Sequence, residues 1–113
     1  MNLMEIEELL KNLKNTLNED CIIKRRIVDP RLQHFDLYVE IDDASVNRIL
    51  KIYPDAKIEY DLENNQVKKI STIGWFCFDI YNVSGKERDE LVLKHDIEHA
   101  KIVKQIKDSD IMI

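Results

Sequence analysis

The chain has 113 residues, 44% of them hydrophobic and 35% charged, with a formal net charge of -5. That length fits one domain over residues 1–113 with a single core, and the mixture of both charge signs marks a globular rather than a disordered chain. The acidic balance argues against non-specific nucleic-acid binding by the whole surface, and two glycines are too few for a G-x-G-x-x-G or a G-x-x-x-x-G-K phosphate loop.

The longest uncharged stretch, Ile70 to Phe78, spans nine residues. A membrane-spanning helix needs ~20. Glu5, Glu7 and Glu8 stand where a secretion signal carries basic and apolar residues, so a cytoplasmic protein is expected. Cys21 and Cys77 are far apart and form no C-x-x-C pair, which leaves two buried thiols in a reducing compartment. Sixteen Ile, twelve Lys and eight Asn against three Ala point to an AT-rich microbial or viral genome.

The first element is a helix. Leu3, Ile6, Leu10, Leu13 and Leu17 lay one apolar stripe, with Asn2 and Glu5 at capping distance. Two heptads are too few for a free-standing coiled coil, so the stripe is expected to pack on a sheet; a homodimer through this helix is the alternative. A strand follows over Cys21 to Val28 and ends at Asp29-Pro30. The next strand alternates, with Phe35, Leu37, Val39 and Ile41 on one face and His34, Asp36, Tyr38 and Glu40 on the other, which predicts a half-buried strand. Asp42 and Asp43 then cap a short helix carrying Val46, Ile49, Leu50 and Tyr53, which Pro54 stops.

A hairpin is expected around Asn64-Asn65, placing Asp61 opposite Lys68 and Leu62 opposite Val67. Trp75 to Tyr81 has apolar side chains on both parities, the pattern of a central strand with Trp75 in the core. Ser84 and Glu87 open a helix that runs to Lys107, followed by the apolar tail Ile111–Ile113. The order α-β-β-α-β-β-β-α defines an α+β fold, a mainly antiparallel sheet of four or five strands packed against N- and C-terminal helices.

Several groups of residues invite a chemical reading. His95-Asp96-Ile97-Glu98-His99 matches H-x-x-E-H and is similar over those five residues to the inverted zinc-protease motif. Only 14 residues follow His99, too few for that family's downstream glutamate ligand. Two histidines four apart still share one helical face, so His95 and His99 with Asp36, or with His34 or Glu40, define an alternative divalent-metal site for a small hydrolase or nuclease. Pro54-Asp55 with Gln66-Val67-Lys68 resembles the loose nuclease signature, but the hairpin register keeps Asp55 and Lys68 apart. Cys77 has no identifiable base in the sequence.

Lys24, Arg25 and Arg26, with Arg31, give residues 21–31 a charge of +3. They would grip phosphates, although strand alternation lets at most two of the three neighbours act together. Residues 32–65 carry eight acidic and three basic side chains. Within them Asp36, Glu40, Asp42, Asp43, Glu59, Asp61 and Glu63 form a field suited to a basic surface on a partner protein. With no cofactor motif, the leading expectation is a non-enzymatic interaction protein: an inhibitor, immunity or regulatory factor.

Overall fold

The computed structural model describes the backbone of residues 3–17, 20–26 and 33–112, and the side chains of residues 5–17, 20–26 and 33–105. Asn2, the Ile27–Pro30 strand end, Arg31 and Ile113 lie outside the described residues. The order is α1 (Leu3–Asn15), β1 (Ile22–Arg26), β2 (Gln33–Val39), α2 (Asp43–Ile52), β3 (Lys57–Tyr60), β4 (Val67–Ser71), β5 (Phe76–Asn82) and α3 (Gly85–Met112). This is the expected α+β order. Among the described residues no helix is long and apolar enough to cross a membrane.

The strands form one sheet ordered β1-β2-β5-β4-β3. Every neighbouring pair is antiparallel except β2 and β5, which run parallel with Asp36 beside Asp79 and Tyr38 beside Tyr81. The two sheet faces differ in chemistry. On one, Phe35, Leu37, Val39, Ile70, Phe78 and Ile80 form the core with Leu13 and Leu17 from the α1 region and Val46 and Ile49 from α2. The stripe on the first helix therefore closes on its own sheet. Asp42 caps α2 by accepting from the Ser45 N–H at 2.8 Å, as its position before the helix predicts.

The other face carries His34, Asp36, Tyr38, Asp79 and Tyr81, and α3 crosses it. This corrects the half-buried reading of β2, because Asp36 is 0% and Tyr38 5% exposed. The alternation was right. Its polar face turns to a helix instead of to water.

The hairpin register also differs from the expected one. Glu59 pairs with Lys69 and Tyr60 with Val67, with a bulge between them. The Asp61 carboxylate accepts from the Glu63 N–H and Asn64 Oδ1 from the Gln66 N–H, each near 3 Å. These local bonds open a longer loop, closed by Asp61 N–H to Gln66 O, and leave Leu62 fully exposed. Asn65 takes the left-handed conformation at φ 58°, as anticipated. Lys57 pairs with Ser71, so Asp55 still lies beyond that end of the ladder, away from Lys68.

Trp75 is 47% exposed, against the core position expected for it. It follows Gly74, whose φ of 149° bends the chain between β4 and β5 and turns Trp75 away from the layer that holds Phe78. Helix α3 continues past Lys107 through Ile111 and Met112, so the tail is helical up to Met112. Leu93 and Ile97 of α3 are exposed.

Candidate functional site

Beneath α3 lies a cluster of ionisable side chains drawn from four strands and the helix. Arg26 at the end of β1 donates Nε to Asp36 Oδ2 at 2.9 Å, and Nη2 to Asp36 Oδ1 at 2.7 Å and to the Tyr81 hydroxyl at 3.1 Å. His34 Nε2 is 2.9 Å from Asp79 Oδ2, and His95 Nε2 from α3 is 3.3 Å from Asp36 Oδ2. Lys69 from β4 approaches Asp79 Oδ1 at 3.8 Å.

Burial raises the carboxyl pKa of Asp36 above its ordinary value, even against the opposing pull of Arg26, His34 and His95. Burial opposes the Arg26 charge too. There Asp36 and the Tyr81 hydroxyl outweigh it and hold the guanidinium pKa above its usual value.

His34, Asp36 and Asp79 each place one donor atom within 4.8 Å of the others, a set able to hold a divalent ion. The same carboxylates already face cations: Arg26 grips Asp36, its Nη1 lies 3.7 Å from Asp79 Oδ2, and Lys69 faces the other Asp79 oxygen. Two carboxylates against one guanidinium and one ammonium balance within the protein. Of the metal set expected from sequence, His95 and Asp36 come together. His99 stacks on the His95 ring with centroids 6.1 Å apart.

Cys77 does have a neighbouring base. Its Sγ lies 3.3 Å from His34 Nδ1, while the far nitrogen of His34 meets Asp79. Sequence missed this because His34 and Cys77 are joined only by the parallel register of β2 and β5. Burial raises the Cys77 pKa, Asp79 and Asp36 add to the rise, and Arg26 opposes it. The geometry is that of a thiol–imidazole–carboxylate relay, but the electrostatics keep the sulfur protonated.

The described members of the basic cluster, Lys24, Arg25 and Arg26, divide between the two faces of β1. Lys24 and Arg26 point toward α3, where Lys24 pairs with Asp96 at 3.1 Å and Arg26 with Asp36. Arg25 is exposed on the opposite parity of this edge strand.

The acidic residues divide by location. Asp36 is buried and unavailable to a partner. Glu59 sits across from Lys69, Asp61 shapes the β3–β4 loop, and Glu63 is exposed on that loop. Glu40, Asp42 and Asp43 line one cleft of about 560 Å³ at the C-terminal ends of β2 and β5, together with Asn82, Ser84 and Glu87. Among the described residues no lysine, arginine or histidine lines it.

Helices α2 and α3 both begin at this cleft, and their N-terminal dipoles favour the carboxylates of Asp43 and Glu87. The Ser45 N–H holds the Asp42 pKa below the ordinary range. Sequence missed Glu87, which joins the others only through the parallel strand pairing. Asn82 escaped notice for the same reason: its side chain accepts from the Ile41 N–H and donates to Val67 O, tying three strand ends together.

No family model matches the chain, and comparison with curated proteins and with solved structures finds no match.

Proposed function

We propose that the protein is a non-enzymatic interaction factor, a cytoplasmic inhibitor, immunity or regulatory protein of microbial or viral origin, that occludes a basic surface on a partner protein. The observation that carries this reading is the cleft that Asp42, Asp43 and Glu87 line beside Glu40, with no lysine, arginine or histidine among its described lining residues. Such a cleft accepts lysine or arginine side chains, steers their approach, and loses hold as salt rises. It lies where open parallel strands commonly present ligand sites, beyond their carboxyl ends.

The test is affinity capture from native cells after nuclease treatment, followed by a salt series. A stoichiometric protein partner that dissociates at high salt supports the reading. So does its loss with Glu40→Gln/Asp43→Asn/Glu87→Gln, which leaves the Asp42 helix cap in place. Salt-insensitive capture, or capture unchanged by the triple variant, overturns it.

A second reading, a small metal-dependent hydrolase or nuclease, draws on the proximity of His34, Asp36 and Asp79 and on the contact of His95 with Asp36. Metal analysis of the purified protein beside His95→Ala/His99→Ala tests it. Unchanged metal content removes His95 and His99 from any ligand set.

A further inference from the structure

Helix α3 does not settle closely onto the sheet along its whole inward face. Leu91, Lys94, His95, Glu98, His99 and Ile102 fall at helical spacing on that side, and with Arg26, Tyr38 and Tyr81 they line a half-open pocket of about 320 Å³. A stability-driven interface would fill such a space with leucine or isoleucine, because unfilled volume forfeits dispersion contacts. Here apolar residues stand at the two ends of the helical stretch, Leu91 and Ile102, and ionisable ones occupy the middle.

The lining has a definite chemistry. Tyr38 and Tyr81 form a stacked pair with centroids 5.3 Å apart and planes within 13°. The His95 ring meets Tyr38 edge-on, and His99 stacks on His95. Arg26 and Lys94 are cationic, His95 and His99 contribute imidazole rings, and Glu98 is the one carboxylate among the described lining residues. Lys94 makes no salt bridge to a described residue. Among the described residues Nδ1 of His95 is buried without a hydrogen-bond partner, with Asp96 Oδ1 at 3.8 Å, although Nε2 of the same ring is held at Asp36. An unpartnered buried polar atom costs free energy that neighbouring groups do not return.

The space suits an organic molecule better than a bare inorganic ion, since small-ligand pockets begin at ~300 Å³. We propose that this pocket between α3 and the polar sheet face binds a small aromatic anion, a flat ring bearing a carboxylate or a phosphate. The ring packs among Tyr38, Tyr81, Leu91 and Ile102, and the anionic group meets Lys94 and His99, while Arg26 stays engaged by Asp36. This site is separate from the acidic cleft, whose charge is opposite, and does not depend on the partner-binding reading.

The experiment is a backbone NMR titration of the full chain with naphthoate, naphthyl phosphate and, as the cationic analogue of the same ring, naphthylmethylamine. Saturable shifts at residues 91–102 and around Tyr38 and Tyr81 with either anion, and weak or no shifts with the amine, support the proposal. The stronger of the two anions distinguishes a carboxylate from a phosphate ligand.

Lys94→Gln and His99→Gln are each expected to weaken anion binding by about tenfold, the usual scale for losing one charge-assisted bond. Both positions lie on the helix away from the apolar core, so the spectrum also reports whether each variant stays folded. No saturable shift by either anion up to ~10 mM overturns the proposal, since that concentration is about tenfold above a millimolar Kd. Equal binding of the amine, or anion binding unchanged in the folded double variant, overturns it as well.

Discussion

Asp36 and Asp79 are Cα partners across β2 and β5, so two carboxylates emerge side by side on a sheet face that α3 covers. Their charges are tolerated because Arg26 reaches both, holding Asp36 through two donors and approaching Asp79 at 3.7 Å. Removing one partner of such an arrangement leaves the other buried charge uncompensated. Asp36→Ala is expected to lower stability by about 2–3 kcal/mol, toward the low end because the Arg26 side chain is 39% exposed. Replacing the pair together, Arg26→Met with Asp36→Leu, is expected to return to within about 1 kcal/mol of the parent. Urea denaturation at neutral pH, with the slope unchanged, measures both.

The core face gives a contrasting expectation. Phe78 is fully buried, with Tyr53 against it edge-on at 5.0 Å and Phe76 at 6.4 Å. Phe78→Ala is expected to cost about 4 kcal/mol, and Phe78→Leu under about 2 kcal/mol, because leucine refills most of the cavity. Equal losses for the two would show that the space collapses freely.

Burial pushes the Cys21 thiol up to about 11 from an ordinary value near 9.0. The folded state therefore keeps its proton where the unfolded chain gives it up, and stability is lost as pH rises from about 9 toward about 11. The loss from this group is of the order of 2 kcal/mol. Tyr38, Tyr53 and Tyr81, all raised by burial, add in the same direction at still higher pH. Cys21→Val is expected to flatten the first part of the alkaline decline, measured as denaturation midpoints across that range.

Charged contacts tie helix α3 to the body at several points. Arg88 donates to Asp20 O and pairs with Asp20 Oδ2, both at 3.1 Å; Lys24 pairs with Asp96; and His95 contacts Asp36. Arg88→Ala is expected to speed amide exchange in the first turns of α3 by about tenfold while leaving β2 and β5 protected. Raising salt is expected to act in the same direction, since exposed pairs are screened first. Exchange that rises equally across the whole chain would show that α3 and the sheet open as one unit.

Much of the fold was legible because local periodicity carries it. The stripe of Leu10, Leu13 and Leu17, the alternation from His34 to Ile41 and the Asp42 cap all act within a few residues, and each produced the expected element. The parallel pairing of β2 with β5 was not legible. It joins His34 to Cys77 and Asp36 to Asp79 across 43 residues, with nothing in either strand alone to announce it. The buried polar face was misread for a related reason: alternation tells which residues share a face, not what covers it. Asp79 and Tyr81 repeat the parity of Asp36 and Tyr38, and α3 brings His95 to them. Those matched polar positions on two central strands were the available signal.

The chain has a single tryptophan, and Trp75 is half exposed just before β5, where its carbonyl accepts from the Gln33 N–H. The acidic cleft opens at the far end of the same two strands, six or seven residues along, a distance of roughly 20 Å. Intrinsic fluorescence is therefore a local gauge of one rim of the sheet. Its ring is half exposed beside Phe76, and a partner seated in the cleft leaves that surrounding unchanged. A blue shift on binding would report a contact surface that reaches around to the opposite rim.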